Sequence, residues 1–139
     1  MSALSSAGFQ LALASQQFIG CPYKFQGRDP ELGLDCVGLV ISSLQAIGRP
    51  TNAPTGYRLR NATIAPFMKF ASANGLSRVK GALMPGDIIL ATPGPGQSHL
   101  LIASSVAGFV HAHAGLRRIV HMPGKLPWKA LETWRITTE

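Results

Sequence analysis

Asp35-Cys36-Val37-Gly38-Leu39-Val40 is the stretch where a loop rich in glycine and proline changes into an apolar run with helical spacing. Asp35 suits the N-cap of that helix, which places Cys36 in the first turn. A thiol there meets unpaired backbone N–H groups and the positive end of the helix dipole, and both favour the thiolate, the nucleophilic form. The pattern therefore predicts a reactive Cys36, and the alternative is a small buried hydrophobic side chain.

Helical spacing of apolar residues predicts three helices around this stretch. The first is predicted from Ala3 to Ile19, the second from Asp35 to Gly48, and a weaker third from Asn61 to Asn74. Residues 21–34, between the first two helices, contain repeated glycine and proline and are predicted to form a loop.

The periodicity changes after Pro85-Gly86 to short segments that are β-branched or alternating and are separated by turn residues. Helices followed by successive short strands predict an α+β fold with an antiparallel sheet. The length of 139 residues predicts a single domain, residues 1–139. The predicted strands are Asp87 to Ala91, His99 to Ser104, Gly108 to Ala114, Arg117 to His121 and Glu132 to Ile136.

The formal charge of +7, from 13 Lys+Arg against 6 Asp+Glu, favours a polyanionic partner such as a nucleic acid, an acidic membrane face or an anionic cell-wall polymer. The basic residues are dispersed, with Arg117-Arg118 as their one adjacent pair, and aromatic residues are few, so no nucleic-acid partner is expected. The apolar runs are too short to cross a bilayer, so no membrane insertion is expected. The N-terminal residues lack the basic and apolar regions of a signal peptide, which predicts synthesis in the cytoplasm.

Two histidines on consecutive predicted strands are candidates to act with the thiol. If the helix that carries Cys36 packs on one face of the sheet, the thiol should lie near His99 and His111, projecting from that same face. A cysteine, a histidine and a second polar group that orients the histidine form the nucleophile, base and orienting residue of thiol hydrolases. His113 shares a strand face with His111 and could take its place or contact substrate, and His121 is expected at the surface.

A zinc site built from Cys36, His99, His111 and His113 is the metal alternative, since Cys and His are zinc ligands. The sequence has neither a paired C-x-x-C nor an H-E-x-x-H spacing to support it, so neither a metal nor a cofactor is expected. Cys21 and Cys36 could form one disulfide, but the composition does not indicate a disulfide scaffold, and both are interpreted as thiols.

Several segments, taken in order, resemble the NlpC family of cell-wall cysteine peptidases. The resemblance runs from Gly20 to about Val120, and the separation of His99 from His111 also agrees with the family. The matching segments are Gly20-Cys-Pro-Tyr23 with Asp35-Cys36-Val-Gly-Leu39 (family G-T-P-Y and D-C-S-G-L), Pro85-Gly86-Asp87-Ile-Ile (P-G-D-L), Ser98-His99-Leu-Leu-Ile102 (H-V-G-I) and Phe109-Val-His111-Ala112 (F-I-H-A).

The resemblance implies a papain-like core in which N-terminal helices pack on a five- to six-stranded antiparallel sheet. It implies hydrolysis of peptide bonds in peptidoglycan stem peptides, beside γ-D-glutamyl and diamino-acid residues. By position, Cys36 matches the nucleophile, His99 the general base and His111 the orienting residue. Tyr23 matches a tyrosine whose hydroxyl lies beside the nucleophile, and the backbone N–H of Cys36 would help to hold the oxyanion.

Asp35 and Val37 are the remaining candidates for oxyanion or substrate binding. Val37 stands where the family commonly has a serine, which together with the preceding aspartate helps to recognise a free amino end of the stem peptide. Because the hydroxyl is missing here, a requirement for a free N-terminus does not follow from the resemblance. Asp35 is left either to bind an amine or to cap the helix.

The D-C-V-G-L variant looks most like the phage and gene-transfer-agent branch of the family, in which the peptidase belongs to the tail tip. This implies a phage tail-associated enzyme that opens the cell wall during DNA entry, with tail-tip or hub proteins as partners. Such an enzyme would act in the virion tail or the periplasm after delivery. Two alternatives remain: a non-catalytic structural tail-tip component with the same fold, and a secreted interbacterial peptidoglycan amidase toxin.

Overall fold

The computed structural model describes residues 6–51 and 65–136. Two short strands between the first two helices pair as an antiparallel hairpin, and the remaining strands form one sheet. None of the helices in these two ranges is long and apolar enough to cross a membrane. The elements are α1 (Ala7–Gln16), β1 (Arg28–Asp29), β2 (Gly33–Leu34), α2 (Cys36–Ala46), α3 (Ala65–Ala73), β3 (Leu76–Arg78), β4 (Ile88–Thr92), β5 (His99–Ala103), β6 (Gly108–His113), β7 (Arg118–Pro123) and β8 (Lys129–Ile136).

The sheet contains six antiparallel strands in the order β3-β8-β4-β5-β6-β7. The predicted α+β class and antiparallel sheet are therefore confirmed, and all five predicted strands are present. The sequence patterns missed β3 and the β1–β2 hairpin, since strands of two or three residues are too short to show a period of two. From β4 to β7, successive strands are neighbours, whereas β8 returns to lie between β3 and β4.

The helix boundaries are set by local capping groups. The side chain of Ser6 accepts a hydrogen bond from Phe9 N–H at 3.1 Å, and this cap starts α1. After Gln16, the next three backbone N–H groups donate to carbonyls three residues earlier in the chain, which is not the spacing of an α-helix. Helix α1 therefore ends before the predicted Ile19. Helix α2 begins as predicted after Asp35, whereas the predicted start of the third helix, at Asn61, lies outside the described residues.

Side chains of the sheet alternate between two buried clusters. In the first cluster, α2 packs through Val40 and Leu44 against Leu100 on β5 and Val110 on β6. The second cluster lies on the other face of the sheet, and its members are Ile89, Ala91, Leu101, Ala103 and Phe109, with Met122, Leu126 and Trp128 packed against them.

This alternation corrects one expectation about the histidines. His99 precedes Leu100, and His111 lies between Val110 and Ala112, so both histidines belong to the face opposite α2. They were expected on the face against which α2 packs. They meet Cys36 because the N-terminal tip of α2 reaches the cavity at the end of β5, where His99 is the first residue of the strand.

The aspartate of the Pro85-Gly86-Asp87 segment has a structural role. Asp87 is fully buried, and its two carboxylate oxygens accept hydrogen bonds from Arg135 Nε and Nη2, both at 2.8 Å. The Oδ2 atom also accepts from Met84 N–H at 2.9 Å. One carboxylate thus joins the turn before β4 to the neighbouring strand β8.

Candidate active site

Asp35 fixes the start of α2 and therefore the position of Cys36. Its Oδ1 accepts a hydrogen bond from Gly38 N–H at 2.8 Å, and its Oδ2 accepts one from Gln26 N–H at 2.8 Å. Arg28 Nη1 lies 3.3 Å from Oδ1 and balances the charge of the fully buried carboxylate. Asp35 is thus an N-cap that also joins the loop before β1 to the helix.

A close backbone contact requires the glycine of the central motif, Gly38. A Cβ atom at this position would lie 2.1 Å from the carbonyl oxygen of Gly27, which is too close for any side chain. The loop before β1 can therefore lie directly against the first turn of α2, and the same loop carries Tyr23 to the cavity.

A cavity of about 390 Å³ brings together four of the six predicted site residues. Cys36 contributes from the tip of α2, His99 from the start of β5, His111 from β6 and Tyr23 from the loop before β1. Strands β5 and β6 pair at two positions, Ile102 with Val110 and Ala103 with Phe109, at the end of β5 that is distant from His99. The two strands are therefore not paired where they border the cavity.

The two histidines are directly linked. His99 Nε2 lies 2.9 Å from His111 Nδ1, and the two rings are nearly perpendicular at 83°. This contact occupies Nε2 of His99 and does not involve its Nδ1. A neutral His99 that carries its hydrogen on Nε2 donates this hydrogen bond to Nδ1 of His111, and the other pair of tautomers reverses the direction.

The thiol of Cys36 is protonated in the free protein. Burial raises its pKa to about 12, and the negative charge of Asp35 acts in the same direction. The backbone N–H groups of Leu100 and Val37 oppose this rise but do not reverse it. The expected thiolate at the helix tip is therefore not the resting form, because the loss of hydration outweighs the helix-terminal N–H groups.

Both histidines are neutral at neutral pH. Burial, followed by the charges of His111 and His113, lowers the pKa of His99 to about 3. Burial and His113 lower the pKa of His111 to about 4. The free protein thus has a neutral thiol and a neutral imidazole pair in the same cavity. A thiolate–imidazolium ion pair is disfavoured until a reactant binds.

Tyr23 is available as a hydrogen-bond donor at the cavity wall. Burial raises the pKa of its phenol, and the charges of Asp35 and Cys36 raise it further. Its backbone N–H donates to the carbonyl of Arg117 at 2.9 Å, which fixes the loop against the turn before β7. The hydroxyl therefore keeps its proton at neutral pH.

Asp35 and Val37 do not line the cavity. The side chain of Val37 is fully buried in the first core cluster, and the Asp35 carboxylate is engaged by Arg28 and two backbone N–H groups. Asp35 was expected either to bind an amine or to cap the helix, and in the structure it caps α2. Substrate binding by either residue stays a prediction.

Trp128 and His113 complete the cavity wall. Trp128 was not identified from the sequence, because one aromatic residue in a proline- and glycine-containing connection has no periodicity that would assign it to a site. His113 Nδ1 accepts a hydrogen bond from Leu116 N–H at 3.1 Å. Within the described parts of the chain, no group of three or more His, Cys, Asp or Glu could hold a metal ion.

The structure is an α+β fold with a cysteine at a helix tip and two linked histidines on adjacent strands. No family model and no curated protein matches the sequence. Among solved structures, NlpC1 from Trichomonas vaginalis matches with a TM-score of 0.70 and 18% identity over 94% of this chain and 45% of that one. NlpC2 from the same organism matches with a TM-score of 0.69 and 17% identity, over 96% and 49% of the two chains.

The NlpC/p60 domain of the peptidoglycan hydrolase SagA also matches, with a TM-score of 0.55, 24% identity, and 85% of this chain and 90% of that one covered. This chain spans about half the length of the two Trichomonas proteins. The resemblance to the NlpC family is thereby confirmed at the level of the fold: the chain has an NlpC/P60 fold.

Proposed function

We propose that the protein is a cysteine peptidase that hydrolyses peptide bonds in peptidoglycan stem peptides, of the type between γ-D-glutamyl and diamino-acid residues. One observation carries the proposal: Cys36 and His99 line the same cavity, and His99 Nε2 lies 2.9 Å from His111 Nδ1. This is the nucleophile, base and orienting-residue arrangement that acyl transfer to a thiol requires. The fold shared with the SagA peptidoglycan hydrolase domain supports the choice of substrate.

In the first step, the Cys36 sulfur attacks the amide carbonyl carbon while His99 Nδ1 accepts the thiol proton. The pKa of the thiol is raised to about 12 and that of His99 lowered to about 3, so a standing thiolate–imidazolium pair is disfavoured before substrate binds. Proton transfer therefore accompanies C–S bond formation. The carbonyl oxygen becomes an oxyanion, and in this proposal the backbone N–H of Cys36 and the Tyr23 hydroxyl stabilise it.

In the second step, the C–N bond breaks and the imidazolium of His99 donates its Nδ1 proton to the leaving amine. His111 Nδ1 accepts the hydrogen bond from His99 Nε2–H throughout, which holds the ring and stabilises its positive charge. The resulting thioester on Cys36 is then attacked by water, whose proton passes to His99. Collapse of the second tetrahedral adduct releases the carboxylic acid product and the sulfur, which recovers its proton from His99.

Digestion of purified peptidoglycan sacculi tests the proposal. The native protein and a Cys36→Ala control are incubated with sacculi, and new amino groups and released muropeptides are measured by mass spectrometry. The proposal expects new amino ends at one type of stem bond in the native sample only. Equal products from both samples would refute it and would favour a non-catalytic structural component with the same fold.

We further propose that the enzyme is delivered with a phage tail, in contact with tail-tip or hub proteins, and acts on the wall during DNA entry. The D-C-V-G-L segment supports this context, and the formal charge of +7 suits an anionic wall polymer. Purified virions from the source phage or prophage should contain the protein. A neighbouring gene for an inhibitor that binds it, with no virion association, would contradict this context and favour a secreted toxin.

A further inference from the structure

The indole of Trp128 contacts both histidines of the cavity. Its ring centre lies 5.9 Å from that of His99 and 5.8 Å from that of His111. It is nearly perpendicular to each, at 79° and 81°, which is a preferred arrangement of aromatic rings. Because the two imidazoles are also nearly perpendicular to each other, the three rings form one packed group around the 2.9 Å nitrogen–nitrogen contact.

The indole is also packed against the sheet. Trp128 lies directly before β8 and packs, with Met122 and Leu126, against the second core cluster on the face opposite α2. The first residues of β8 pair with the end of β4, and this pairing holds the backbone next to Trp128. A ring anchored in this way can hold the two imidazoles in place.

We propose that Trp128 is the positioning residue of the histidine pair, an inference that rests on the proposed peptidase function for its kinetic consequence. The indole closes one side of the cavity and holds both rings so that Nε2 of His99 meets Nδ1 of His111. That orientation leaves Nδ1 of His99 for the thiol of Cys36.

A single hydrogen bond does not hold two imidazoles in a solvated cavity, because water can replace either partner. An apolar wall excludes that water and strengthens the bond. The lowered pKa values of His99 and His111, for which burial is the first cause, agree with such a wall. The other titratable groups that face the rings in the cavity are Cys36 from α2, Tyr23 from the loop before β1, and His113 from β6.

A histidine NMR titration tests the proposal without requiring turnover. Ring ¹⁵N shifts of His99 and His111 are followed against pH in the native protein, in Trp128→Ala and in Trp128→Phe. Trp128→Ala should admit water, move both midpoints upward and mix the two neutral tautomers of His99. Trp128→Phe keeps an aromatic wall and should stay close to the native titration.

Leu126→Ala is the matched control, because Leu126 packs on the same core cluster from the same segment but does not line the cavity. It should leave both midpoints unchanged. If thermal unfolding shows that Trp128→Ala does not fold, Trp128→Leu takes its place, because leucine keeps apolar volume but removes the ring contacts. Trp128→Leu should shift both midpoints in the same direction by a smaller amount. Unchanged titrations in the folded variant that lacks the ring, or an equal shift in Leu126→Ala, would overturn the proposal.

Kinetics adds a second readout if the protein cleaves peptidoglycan. Loss of two edge-to-face contacts should lower kcat by about 10- to 100-fold in Trp128→Ala and move the acidic limb of the kcat/KM profile to higher pH. Trp128→Phe should restore both. Since the NMR titration needs no substrate, a failure of this inference is distinguishable from a failure of the proposed function.

Discussion

Replacement of His111 by leucine is expected to disable the His99 base while leaving the cavity filled. Leucine keeps apolar volume on a residue that is 3% exposed, but it removes the acceptor 2.9 Å from His99 Nε2. The N–H of His99 is then left unpaired in a buried site, which costs about 1–3 kcal/mol. If that cost falls on the transition state, in which His99 is charged, kcat should drop by about 5- to 150-fold.

Asparagine at the same position is the matched variant. Its Oδ1 branches from the chain at the same distance as Nδ1 of histidine and can accept the His99 N–H. His111→Asn should therefore recover most of the kcat that His111→Leu loses, with little change in KM for either variant. The assay is steady-state hydrolysis of a purified muropeptide, with thermal unfolding as the check on folding. A leucine variant with native kcat, or an asparagine variant no better than leucine, would refute the orienting role of His111.

Three further predictions follow from the geometry and the charges. Because burial lowers the pKa of His99 in the free protein to about 3, kcat/KM should persist as pH falls and have its acidic midpoint near pH 3, and a midpoint near pH 6.5 would contradict this. The free energy of unfolding should fall from about pH 6.5 downward, because the unfolded chain binds protons that the folded chain does not. Asp87→Asn should cost about 1–3 kcal/mol in urea unfolding, because the amide has one acceptor oxygen where the carboxylate has two and loses the charge that pairs with Arg135. Glu132→Gln, in a more exposed pair, should cost under about 1 kcal/mol, and equal costs would count against the structural role of Asp87. Digestion of sacculi should slow as added salt screens the +7 charge, whereas hydrolysis of a small soluble muropeptide should depend on salt much less. Equal salt dependence of the two reactions would argue against electrostatic attraction of the enzyme to the wall polymer.

Much of the fold could be predicted because its signals are local. The N-cap at Asp35 and the alternation in the later strands depend on residues within one turn or one strand, so α2 and five strands of the sheet were identified. Strand β3, with three residues, shows no such pattern, and the correct sheet face of His99 and His111 depends on how α2 meets the sheet in three dimensions.

The residues that line the cavity could be predicted from the sequence, but their pKa shifts could not. Cys36, His99, His111 and Tyr23 were identified and do line one cavity. The direction of the Cys36 pKa shift was wrong, because the full burial of the thiol is a property of the packed chain and not of the helix terminus. Trp128 was missed for the same reason, since its contacts with both imidazoles join segments that are separated along the chain.

The most direct test of the account is the initial rate at which new amino groups appear in sacculi treated with the native protein, Cys36→Ala and His99→Ala at equal concentration. Removal of the nucleophile should reduce the rate to that of the untreated control. Removal of the base should reduce it by about 10²–10⁴-fold. Retention of the native rate in Cys36→Ala would contradict the central claim that this thiol performs the cleavage.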